Sequence, residues 1–107
     1  MNLEALKERV KGLRSIVNSG LTGAKDGLKK LKESEDLQAQ QHYEKNIPIL
    51  EEGLSDLQQL NRDIDRCMGA PNQLGCDVEE LCTRYRDICT RTKNASVTLA
   101  SGQSCTC

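Results

Sequence analysis

Between Tyr43 and Met68 the apolar positions recur with one period. Tyr43, Ile47, Leu50, Leu54, Leu57, Asn61, Ile64 and Met68 follow one another at steps of four and three. This heptad spacing places one seam along a helix and turns it toward partner helices. The faces between are acidic or amide-rich: Glu51, Glu52, Asp56, Gln58, Gln59, Asp63 and Asp65. A helix of this kind cannot bury its seam alone, so the flanking segments must cover it.

Both flanks repeat the pattern. Leu3, Leu6, Val10, Leu13, Val17, Leu21, Ala24, Leu28 and Leu31 keep steps of three and four, with one stutter between Val17 and Leu21 where a supercoil relaxes. Asn2 is placed to cap this helix. Gly12, Gly20, Gly23 and Gly27 each weaken it by roughly 0.5–1 kcal/mol relative to Ala, so it depends on tertiary packing. One helix over 2–32 is the reading, with a break at Gly20–Gly23 as the alternative. Polar residues from Ser34 to Gln41 carry the turn. The second helix runs over 37–68 and is expected to kink or break near Pro48; in the alternative, Asn46 caps a fresh helix. Gly69-Ala70-Pro71-Asn72 ends it. Asp77 and Glu80 then fit a capping box. The third helix over 77–100 repeats the seam at Val78, Leu81, Tyr85, Ile88, Thr92, Ala95 and Leu99, and Ser101-Gly102 ends it. Residues 101–107 read as a flexible cysteine-containing tail.

Three amphipathic helices joined by short loops in 107 residues predict one all-α domain over 1–100, an antiparallel up-down-up three-helix bundle. Charge agrees with that order. Residues 1–32 hold eight Lys/Arg against three acids, residues 33–80 three against twelve, and residues 81–107 four against one. An acidic middle helix between two basic ones fixes pairing more than it adds stability, since each surface pair is worth under ~1 kcal/mol.

The net charge of −1 and the two aromatics, Tyr43 and Tyr85, argue against a nucleic-acid partner. No apolar run reaches the ~18–20 residues of a membrane span. Leu3-Glu4-Ala5-Leu6 already reads as helix rather than as a leader, which points to the cytoplasm.

Six cysteines, at 67, 76, 82, 89, 105 and 107, all lie in the C-terminal part. They are read first as reduced thiols of a cytosolic protein. The alternative is three disulfides, with fifteen connectivities open. Cys67 and Cys76 flank the second loop and are the favoured pair. Cys82 and Cys89 stand two helical turns, about 10 Å, apart and cannot bond each other. No CxxC is present and His42 is the one histidine, so no metal or other cofactor is implied. Cys105-Thr106-Cys107 has the form of a prenylated ending, though no other stretch is GTPase-like. His42 lacks the neighbours of a catalytic base and reads as solvated. Asn94-Ala95-Ser96 is a glycosylation sequon whose Asn94 should face outward. Lys25, Lys29, Lys30 and Lys32 form a basic cluster, read as a solvated face or a partner-binding one.

The run DRCMGAPNQLGCDVEELCTRYRDICTRT, residues 65–92, resembles the passage from the second to the third helix of spectrin-type repeats. It has the short Gly/Pro loop, the acidic start, and a Leu ahead of a large aromatic. Tyr85 stands where that family usually has a third-helix Trp, as its core aromatic. The glycine-rich first helix without Trp and Pro48 in the second place the resemblance among divergent repeats, as in plakins, nesprins and dystrophin relatives. It implies a spectrin-repeat-like coiled coil acting as a spacer or docking module of a cytoskeletal scaffold, with helical or cytoskeletal protein partners. Two alternatives stand beside it: a helical adaptor that completes a bundle with another chain, and a secreted, disulfide-stapled helical effector. No titratable pair is presented for catalysis, so an enzyme is not expected.

Overall fold

Asn2 begins the first helix as its spacing predicts: its side-chain oxygen accepts from the Ala5 N–H at 2.8 Å. The computed structural model describes residues 2–95 and 105–107. Within them three helices follow one another, α1 (Leu3–Leu31), α2 (Leu37–Gly69) and α3 (Val78–Asn94). The fold is an all-α three-helix bundle, elongated to 56 × 21 × 16 Å.

Helix α1 passes through Gly20 and Gly23 without a break. Its end is closed from α2: Gln40 Nε2 donates to the Leu31 carbonyl at 2.8 Å and to the Ser34 carbonyl at 3.1 Å. Asp36 caps α2 by accepting from the Ala39 N–H at 3.1 Å. The helix then continues through Pro48, so of the kink or break expected there the break does not form. Pro48 and Glu44, whose carbonyl loses its donor, are both exposed, so water can solvate the orphaned oxygen. Asn46 caps nothing; it is buried, with Nδ2 3.2 Å from His42 Nε2.

The core stripe of α2 departs from the strict heptad. Leu60 and Cys67 are fully buried, whereas Asn61 is half-buried and Met68 exposed. From Leu57 the seam steps by three to an apolar residue instead of by four to an amide. That choice keeps polar atoms out of the core at the cost of a local register shift. The Asn61 Oδ1 has no hydrogen-bond partner, as expected for an amide caught at the margin of a seam.

Asp77 caps α3 by accepting from the Glu79 N–H at 3.1 Å. Leu81, Tyr85, Ile88 and Thr92 enter the core as the pattern predicts, with Tyr85 only 1% exposed. The helix ends at Asn94, earlier than the spacing suggests. Leu99 and Ser101-Gly102 lie outside the described residues. With 17 residues against 33, α3 spans about 25 Å and α2 about 50 Å, so α3 covers half of α2. Gly53 of α2 lies near the far end of that coverage. A Cβ built on it would stand 2.3 Å from Thr92 Cγ2, so the two helices meet at a distance only glycine allows.

Candidate interaction site

All six cysteines are paired. Cys67–Cys76, Cys82–Cys107 and Cys89–Cys105 have Cα–Cα separations of 5.4, 6.1 and 5.5 Å. The first is the pair the sequence favoured. Together the three overturn the expectation of reduced thiols, and the other two anchor residues 105–107 of the tail read as flexible over 101–107, whose residues 101–104 lie outside the described residues. Cys82 and Cys89 sit on one face of α3. Cys105 and Cys107, two residues apart, return along that face in the opposite direction, so the inner pair nests inside the outer one. Arg9 of α1 donates from Nη1 to the Thr106 carbonyl at 2.8 Å. The end of the chain is thereby tied to both α1 and α3.

Helices α2 and α3 are also laced by charge. Arg84 reaches Asp63 at 2.9 Å and Arg91 reaches Asp56 at 3.0 Å, while Asp87 of α3 itself holds Arg91 at 3.1 Å. Partial burial works to raise the Asp63 pKa. Hydrogen bonds from Arg84 and Gln59, with the Arg84 and Arg66 charges, outweigh it and hold the carboxyl below its ordinary value. Burial likewise works to lower the Arg91 pKa, and its bonds to Asp56 and Asp87 turn the shift upward.

Between α2 and α3 the Cys67–Cys76 bond closes a loop built of two successive turns. The Gln73 N–H donates to the Ala70 carbonyl and the Cys76 N–H to the Gln73 carbonyl. Pro71 presets the first turn, and Gly75, at φ +85°, supplies the left-handed residue that the second needs. Leu74 stands between them at the tip, 99% exposed. The cross-linked loop thus presents one large apolar side chain, flanked by the exposed Asp77, Glu79 and Glu80.

The remaining predicted features are dispersed. Lys25 and Lys29 line one flank of α1 and the C-cap Lys32 continues that line, while Lys30 points about 100° away from Lys29. Lys25 reaches Glu51 at 3.9 Å. His42 is exposed, edge-on to Tyr43. Asn94 is exposed; Ser96 of its sequon lies outside the described residues. Among the described residues no group of His, Cys, Asp and Glu is placed to hold a metal ion, and no helix is long and apolar enough to cross a membrane. Sequence reasoning missed the nested staple and the Leu74 tip. The signal for the staple was two cysteines a heptad apart on one helix and two more an i,i+2 step apart near the end. Comparison with protein-family models, curated proteins and solved structures finds no match.

Proposed function

We propose that this chain is a non-enzymatic, disulfide-stapled helical module of an oxidising compartment that works by binding a protein partner. The observation behind it is the pairing of every cysteine, which suits an oxidising compartment better than the cytoplasm. The binding role rests on the cross-linked end, where Leu74 stands on a preorganised loop that loses little freedom when a partner covers it. A spacer or docking repeat of a cytoskeletal scaffold is the second reading. The three-helix architecture favours it; three disulfides weigh against its reducing surroundings.

A free-thiol count separates the two. Protein purified without reductant and then denatured should show no titratable thiol, with peptide mapping recovering the 67–76, 82–107 and 89–105 links. Six thiols would return the chain to the cytoskeletal reading.

A further inference from the structure

Along one flank of α1, Lys7, Lys11, Arg14, Asn18, Lys25, Lys29 and Lys32 fall in a single line at helical spacing. The facing flank of α2 carries Glu51, Gln58 and Asp65, one heptad apart. The two acids take Lys7 and Lys25, one on each side of Arg14: Lys7 pairs with Asp65, and Lys25 lies 3.9 Å from Glu51. Antiparallel pairing sets Gln58 midway between them, opposite Arg14 and Asn18. At that rung an amide replaces the acid. Arg14 consequently has no acidic partner among the described residues, and Lys11 has only the exposed Glu8 of its own helix, at 3.8 Å.

The gap is a groove of about 350 Å³ lined by Lys11, Arg14, Ser15, Asn18, Leu54 and Gln58. Two cations, two amides and a hydroxyl converge there above a half-buried leucine, and no carboxylate is in the lining. We propose that this groove binds an oxyanion, the sulfate or phosphate group of an ester whose organic part rests on Leu54. Arg14 supplies a forked donor matched to such a group, Lys11 a second charge, and Asn18 and Gln58 amide N–H donors. The bound group completes the charge ladder at the rung that Gln58 leaves open. This assignment is independent of the compartment and of Leu74.

The test is an amide-resolved NMR titration of the disulfide-intact chain at constant ionic strength. Inorganic sulfate, inorganic phosphate and a sulfated disaccharide are the probes, with chloride as reference. Saturable shifts centred on the Ser15 and Asn18 backbone and on the Asn18 and Gln58 side-chain amides are expected. A preference for the disaccharide or for phosphate identifies the source of the group. Gln58→Glu supplies the missing acid without touching the core and should abolish saturation. Arg14→Gln should weaken binding about tenfold, the loss of one charge-assisted contact. Lys30→Gln, on the other side of α1, should leave it unchanged. Shifts that never saturate, that centre on Lys29 and Lys32, or that persist in Gln58→Glu would overturn the assignment.

Discussion

Gly53 and Thr92 show how one missing methyl sets the distance between two helices. The Thr92 hydroxyl donates back to the Ile88 carbonyl at 2.9 Å, which fixes its rotamer and leaves Cγ2 against the bare Cα of Gly53. Gly53→Ala should gain roughly 1 kcal/mol of helix propensity. It should lose about 1–3 kcal/mol to overpacking, for a net loss of stability in urea unfolding. Thr92→Ser keeps the hydroxyl and removes Cγ2, so Gly53→Ala should become stabilising in that background. A stabilising Gly53→Ala on its own would mean that the helices do not approach so closely. Asp63 offers a second test at this scale. Its folded pKa lies below the ordinary 3.8, so unfolding takes up a proton. The stabilisation is present above that value and is lost as the pH falls through the lower folded one. The contact is partly exposed and worth under about 1 kcal/mol, so the gap between wild type and Asp63→Asn should be small and should close on acidification.

At the scale of elements, spacing revealed most of the helices because each must hide a seam, and steps of three and four are visible without knowing the partner. Spacing alone could not choose between Leu60 and Asn61. Both fit a helical period, and the choice depends on which keeps an amide out of the core. Leu60→Ala should therefore cost about 2–5 kcal/mol, whereas Asn61→Ala, which removes a buried unpartnered oxygen, should be neutral or stabilising. Thermal melts of the two variants decide it, and the reverse order would restore the strict heptad through Asn61. Pro48 does not break α2, for a related reason. Its penalty is local, while the continuous packing of Ile47 and Leu50 on α1 is not. The Cys82 and Cys89 partners were hidden because they arrive from a distant part of the chain, where helical periodicity carries no information. Of the candidate site, only the Cys67–Cys76 closure was legible, since both cysteines flank one short loop. The anion groove was not, because its signal is an absence: an amide on α2 where the ladder calls for an acid.

Over the whole molecule, cross-links and coverage fall at the same end. Leu6, Val10, Leu13 and Val17 of α1 are fully buried, as are Leu57, Leu60 and Ile64 of α2, where α3 and the disulfides close over them. Toward the other end Leu21, Ala24 and Ile47 are 7–9% exposed, and past Ala95, which is still in the core, α1 and α2 have only each other among the described residues. Each disulfide restrains the unfolded chain by about 3 kcal/mol in the loop-entropy account, and the nested pair by less than the sum of its members. The bundle should therefore open from its two-helix end. Native-state hydrogen exchange should find the slowest amides in residues 6–17, 57–67 and 81–89, and the fastest helical ones in 24–31 and 37–46. Reduction should lower protection in the first group far more than in the second, because the disulfides hold the α2–α3 loop, α3 and residues 105–107 against the first group, with Arg9 bonded to Thr106, and reach none of the second. Uniform protection along α2 before reduction, or an equal fall at both ends after it, would show that the two halves open as one unit and that coverage by α3 does not set local stability.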